Sequence, residues 1–158
     1  AIPAGFDLYV VGLQEAVSDK FFELVEQHLS QFKVLRLNFS CQVAGRGDGS
    51  FIWTKFTGIA VYVSAELLKH VFVVRTAQAG VGMYGSKGAA AVLLKIFGTT
   101  VVFSCAHLPA TSIQDRRAAY VSLVEALGNK LGDAYFQLLE QFHHIVFFGD
   151  LNYRLTGI

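Results

Sequence analysis

The sequence predicts an α/β fold, a layered sandwich of two mixed β-sheets flanked by helices, and three observations carry that expectation. Hydrophobic residues fill 53% and charged residues only 16% of the 158 positions, against about 25% charged in an ordinary domain. So apolar a chain is not disordered and suits one domain with a large core. Short runs rich in β-branched and aromatic residues recur along it, whereas only two long stretches carry helical spacing. The elements also lack the strict alternation of strand and crossover helix that a doubly wound single sheet requires.

Taken in order, residues 8–13 read as a strand ending at Gln14-Glu15. Ser18 is a candidate N-cap for a helix whose apolar face is Phe21, Phe22, Val25, Leu29 and Phe32. Residues 34–39 form a second strand, and 44–50, rich in glycine, form a loop. Strands follow at 59–63, 71–76, 89–97 and 101–107, with glycines in their turns. Ser112 opens a second helix, with Asp115 as a capping-box variant and Tyr120, Val121, Val124, Leu127 and Leu131 as its stripe. A break at 129–133 leads to a shorter helical segment through Phe142, and 145–148 is the last buried strand. No repeat or linker divides the chain, so residues 1–158 are expected to be one domain.

Composition excludes several classes. The net charge of +1 gives no field for nucleic acid or an anionic membrane, so any anion must be recognised locally. Cys41 and Cys105 lie far apart without metal-type spacing, which fits a reducing, cytoplasmic setting. The opening residues lack the basic start and apolar stretch of a signal peptide. Residues 88–106 approach the length of a membrane span, but Lys95 sits near the middle and Gly98-Thr99-Thr100 breaks the run, so two strands and a turn are expected. Starting at Ala1 without methionine suggests an excised piece.

Functional groups are sought where polar side chains follow apolar strands, because rigid strand ends are where folds display them. Glu15 offers one hard oxygen ligand for magnesium, or else a carboxylate favoured at a helix start. Asp150 and Asn152, two apart, point to one side in extended backbone and could orient a water and hold a phosphoryl oxygen; an Asx turn is the plain alternative. His107 closes a strand before Leu108-Pro109 and is either chemical or simply satisfied by backbone. His143 and His144 read as helix C-terminal capping. Gly85-Ser86-Lys87-Gly88 has serine before lysine and a strand after it, which excludes a P-loop and leaves a hairpin with one lysine able to meet phosphate. Arg116 and Arg117, at a helix start where the dipole disfavours cations, read as solvated, with an acidic partner or an anion as the alternative.

The segment Phe147-Phe148-Gly149-Asp150-Leu151-Asn152-Tyr153-Arg154 resembles the first signature of the inositol polyphosphate 5-phosphatases. Gly12-Leu13-Gln14-Glu15, Gly85-Ser86-Lys87-Gly88-Ala89, His107-Leu108 and Arg116-Arg117 fall in that family's order. Gly-Asp-x-Asn alone marks the wider superfamily of endonucleases, exonucleases and phosphatases, with a DNase I-like fold; Tyr153-Arg154 and the Ser-Lys-Gly-Ala turn narrow it. Cys105-Ala106 stand where the family commonly has Asn-Ser. The family domain begins earlier and continues further, so the resemblance covers only its N-terminal and middle portion.

That resemblance implies magnesium at Glu15, water activation by Asp150, and scissile-phosphate contacts from Asn152 and His107. It places Lys87 and Arg154 on the substrate-binding side, with Tyr153 and Arg154 also supporting the loop. The implied reaction is removal of the 5-phosphate from a phosphoinositide lipid or a soluble inositol phosphate, with only peripheral membrane contact and no nucleic acid. Little turnover is expected of the isolated 158 residues. Two further readings stay open: another superfamily member such as a nuclease, which near-neutral charge disfavours, and a non-catalytic module that self-associates through its uncovered half.

Overall fold

The computed structural model describes residues 2–44, 55–81 and 87–154. The expected loop at residues 45–50 and the glycine-rich residues 82–86 lie outside them. The elements are β1 (Leu8–Ala16), α1 (Lys20–Ser30), β2 (Val34–Arg36), β3 (Gln42–Ala44), β4 (Phe56–Ser64), a 3-10 turn (Leu67–His70), β5 (Val71–Gly80), β6 (Gly88–Ile96), β7 (Thr99–His107), α2 (Ile113–Leu131), α3 (Leu138–Gln141) and β8 (His144–Asp150).

They build the expected two-sheet sandwich. In the first sheet β4 is central, antiparallel to β1 on one edge and to β2 and β3 in succession on the other. The second runs β5-β6-β7-β8, antiparallel except for the parallel β7–β8 pair that α2 and α3 connect.

Strand alternation then fixes the layers, since successive side chains face opposite ways. Ile59, Val61 and Val63 of β4 meet Ala90, Val92 and Leu94 of β6 and Cys105 of β7 between the sheets. Ala60 and Tyr62 face outward to Phe22, Val25 and Leu29 of α1, and the buried Tyr62 hydroxyl donates to the Phe22 carbonyl at 2.7 Å. On the far side, Ala89, Ala91, Val102 and Ala106 pack under Leu123, Leu127 and Leu131 of α2. The order of layers is α1, first sheet, second sheet, α2.

Several boundaries depart from the sequence pattern. β4 begins at Phe56, three residues earlier than its apolar run, because neighbours on both edges bury Thr57 and Gly58, which have little strand signal of their own. β5 extends through Ala77-Gln78-Ala79-Gly80 because β6 pairs with each of them. β2 is only three residues long. In α1 the cap position is Asp19, Ser18 accepts instead from Lys20 N, and Phe21 and Phe32 are exposed. In α2 the expected Leu127 and Leu131 are buried and Val124 packs against the core, but Arg116, Ala119 and Leu123 complete the buried stripe and Val121 faces solvent. α2 runs through Leu131 without a break at 129. His143 caps no helix: its Nδ1 receives Thr100 N at 3.2 Å, and His144 begins β8. Residues 88–106 form β6 and most of β7, and no helix among the described residues is long and apolar enough to cross a membrane.

The sheets approach closely at Gly12. A methyl there would collide with Cys105 Sγ and lie 2.8 Å from the Phe148 ring. Gly12→Ala should therefore lower stability by about 1–3 kcal/mol, read from the urea unfolding midpoint. At the start of α2, Ser112 Oγ accepts from Asp115 N at 3.0 Å, and Asp115 Oδ2 accepts from the Thr111 and Ser112 hydroxyls at 2.6 and 2.7 Å. The Thr111 hydroxyl, then that of Ser112, holds the Asp115 carboxyl below its usual range. The anchoring is complete above the ordinary carboxylate pKa and lost as pH falls through the lowered value. An NMR titration of Asp115 should show a midpoint below that of an unperturbed aspartate, and Thr111→Val should raise it.

Candidate active site

Register in the second sheet makes one row of the expected residues. Gly88 pairs with His107, and His107 with Asp150, so Lys87, His107 and Asp150 end three adjacent strands. Lys87 Nζ lies against His107 Nε2 and 3.4 Å from Nδ1. His107 Nε2 is 3.4 Å from Asp150 Oδ2. A ring nitrogen that accepts from the Lys87 ammonium is unprotonated, whereas one that donates to Asp150 is protonated. The same atom therefore sits between a proton source and a proton acceptor.

Glu15 comes from the other sheet. The β1–β4 register shifts between Leu13 and Ala16, and Glu15 takes φ +53°, a conformation costing on the order of 1–3 kcal/mol in a non-glycine residue. Its carboxylate meets Lys55 Nζ at 2.8 Å on Oε2 and Lys87 Nζ at 3.9 Å on Oε1. The hydrogen bond from Lys55 is the main cause holding the Glu15 carboxyl below its usual range. Lys55 was not foreseen from the sequence. The signal would have been the β1–β4 pairing, which sets Phe56 opposite Ala16.

The turn after β8 combines both readings offered for it. Asn152 is not extended but left-handed, at φ +52°, a region asparagine tolerates. Its backbone N–H donates to Asp150 Oδ1 at 3.1 Å as an Asx turn, and its Nδ2 donates to the Leu108 carbonyl at 2.9 Å. The turn thus fixes one Asp150 oxygen and leaves the other toward His107. Gly149, at φ +125°, has no room for a side chain: a Cβ would collide with the Ala106 carbonyl and lie 2.9 Å from its nitrogen.

The expected residues are therefore gathered unequally. Glu15, Lys87, His107, Asp150 and Asn152 form one connected set. Arg154 is exposed, and among the described residues no ion pair ties it to this set. His107 is 2% exposed against 27% for Lys87, so Lys87 is the more solvent-accessible of the pair. Arg116 is not solvated. It is buried in the α2 stripe with its guanidinium 5.7 Å over the Tyr153 ring, and its Nε has no hydrogen-bond partner among the described residues. Cys105, in place of the family's usual asparagine, points between the sheets and accepts from Gln14 Nε2 at 2.9 Å. Burial pushes its thiol up to about 11, so it stays neutral beside the site.

The donor set suits a hydrated hard cation. Among the described residues no three His, Cys, Asp or Glu side chains could enclose a metal ion, but magnesium keeps several waters and needs only one or two carboxylates plus substrate oxygens. Glu15 is half exposed and already draws two ammonium groups to its two oxygens. It fits that role.

Carboxylate, imidazole and ammonium groups thus gather at strand ends of a two-sheet sandwich. The chain belongs to the Endonuclease/Exonuclease/phosphatase family 2, whose sequence profile matches residues 3–157. Among solved structures it is similar to the inositol polyphosphate 5-phosphatase domain of SPsynaptojanin, determined with inositol (1,4)-bisphosphate and calcium. The TM-score is 0.69 at 24% identity, over 94% of this chain and 44% of that one. ANGEL2, a 2',3'-cyclic phosphatase, aligns with TM-score 0.58 at 14% identity, over 90% of this chain and 39% of that one. The human Nocturnin catalytic domain with bound sulfate gives 0.55 at 18%, over 90% and 51%. The likeness at these identities is one of fold, and the chain spans about half or less of these proteins. No curated protein sequence matches it.

Gly149→Ala should combine backbone strain with the collision at Ala106 and cost about 3 kcal/mol. Chemical denaturation measures the loss, and the Asn152 amide resonance should shift with it.

Proposed function

We propose that this chain carries the site of a magnesium-dependent phosphate-monoester hydrolase acting on the 5-phosphate of inositol phosphates or phosphoinositides. The observation that carries the reading is the connected row of Glu15, Lys87, His107 and Asp150 across two sheets, ending in the Gly149-Asp150-Leu151-Asn152-Tyr153-Arg154 turn. The likeness to a 5-phosphatase domain that binds inositol bisphosphate supports the substrate class. The near-neutral charge of +1 favours a small polyanion over a nucleic-acid strand.

Asp150 orients the attacking water through the carboxylate oxygen that the Asx turn leaves toward His107, and takes its proton. His107 Nε2, within reach of both Asp150 and Lys87, relays a proton or holds the developing charge. Asn152 uses one amide N–H on Leu108 and keeps a second for a phosphoryl oxygen. Lys87 meets the entering phosphate as a point charge. Glu15 would hold magnesium, which when bound neutralises charge on the phosphoryl oxygens during in-line attack.

With the full-length protein and Mg2+, phosphate should be released from a 5-phosphorylated inositol phosphate. Asp150→Asn should lower kcat about 10²- to 10⁴-fold and Asn152→Ala about 10²- to 10³-fold, with unchanged circular dichroism. Turnover of a 2',3'-cyclic nucleotide with none of the inositol phosphate would reject the substrate class. Metal-independent turnover would reject the chemistry.

A further inference from the structure

We propose that Lys55 is a built-in counter-cation of the candidate metal site, which competes with a divalent ion for Glu15, so that Lys55 sets the ion affinity of the site. The inference rests on the reading of Glu15 as a cation ligand and goes beyond it in naming a residue that opposes loading.

The geometry is asymmetric in an informative way. The two Glu15 oxygens each face an ammonium, but Lys55 is at 2.8 Å and Lys87 at 3.9 Å. Lys87 is also engaged with His107 and belongs to the row that meets phosphate. Lys55 has no such second attachment among its described contacts, and its bond is a direct hydrogen bond as well as an ion pair. It is anchored by its place in the chain, one residue before β4 and beside the end of β1. Lysine is suited to this because its ammonium is a compact charge on a flexible stem. The stem swings clear without disturbing the strands.

A hard cation approaching Glu15 Oε2 competes with that ammonium for the same lone pairs. The pair is half exposed on both sides, with side-chain exposures of 49% and 48%, so the competition is modest and reversible. Once displaced, Lys55 remains a positive charge near the entrance, where the incoming phosphate offers it a new partner. Ion binding without substrate is thereby weakened, and ion and phosphate together are favoured.

The test is Mn2+ binding to the full-length protein, followed by electron paramagnetic resonance with Mg2+ as competitor. Lys55→Met should tighten binding roughly 1.5- to fivefold, the range expected for releasing one exposed ion pair, and the gain should shrink as salt is raised. Lys55→Arg, which keeps the charge, should stay near wild type. Equal or weaker ion binding by Lys55→Met overturns the proposal. Glu15→Gln serves as the separate control: if it binds Mn2+ as well as wild type does, the cation site itself is wrong, whatever Lys55 does.

Discussion

The close approach of β1 to β7 and β8 at Gly12 is the constraint on which the site depends. Glu15 belongs to one sheet and Lys87, His107 and Asp150 to the other, so their meeting is decided by how nearly the two sheets can be pressed together at one end. Gly12 supplies the missing side chain, and Cys105 and Phe148 fill the space it leaves. Gln14, on the same strand, adds a directed contact to Cys105 Sγ. A larger residue at position 12 would separate the sheets where the carboxylate of one must reach the ammonium of the other.

From that contact the charges form a chain, Lys55 to Glu15 to Lys87 to His107 to Asp150, alternating in sign wherever the groups are permanently ionised. The row is exposed at both carboxylates and covered at the imidazole. Such an arrangement stores little stability, because half-exposed ion pairs contribute about 0–1 kcal/mol each. The carboxylates at Glu15 and Asp150 are thereby left half exposed beside groups of the opposite or titratable charge. The rigid parts lie behind it, in the three packed interfaces between α1, the two sheets and α2.

Much of this was legible in the sequence, and the reasons differ by element. Strands such as β6 and β7 announce themselves by length and apolar content, and Gly149-Asp150-Leu151-Asn152 by its turn chemistry. His107 and Asp150 could be read only as strand ends and Lys87 only as a hairpin lysine, since the register that makes them a row is a tertiary property. Lys55 and the burial of Arg116 were invisible for the same reason: one depends on β1–β4 pairing and the other on which face of α2 the sheet selects. Val121 looked like core because it is apolar but is exposed, whereas Val124 does pack against the core beside Ala119 and Leu123, which the expected stripe omitted. The geometry around Asn152 was misjudged because a left-handed residue breaks the two-residue alternation of a strand.

We propose that cation and phosphate bind at the end of the sandwich where Glu15, Lys87, His107 and Asp150 meet. Paramagnetic broadening by Mn2+ in the NMR spectrum of the full-length protein measures it directly. Resonances of Glu15, Lys87, His107, Asp150 and Asn152 should broaden first, while those of Lys95, Thr99 and His144, at the opposite end of the second sheet, should stay sharp. Broadening centred on His143 and His144, or spread evenly over surface carboxylates, would contradict it.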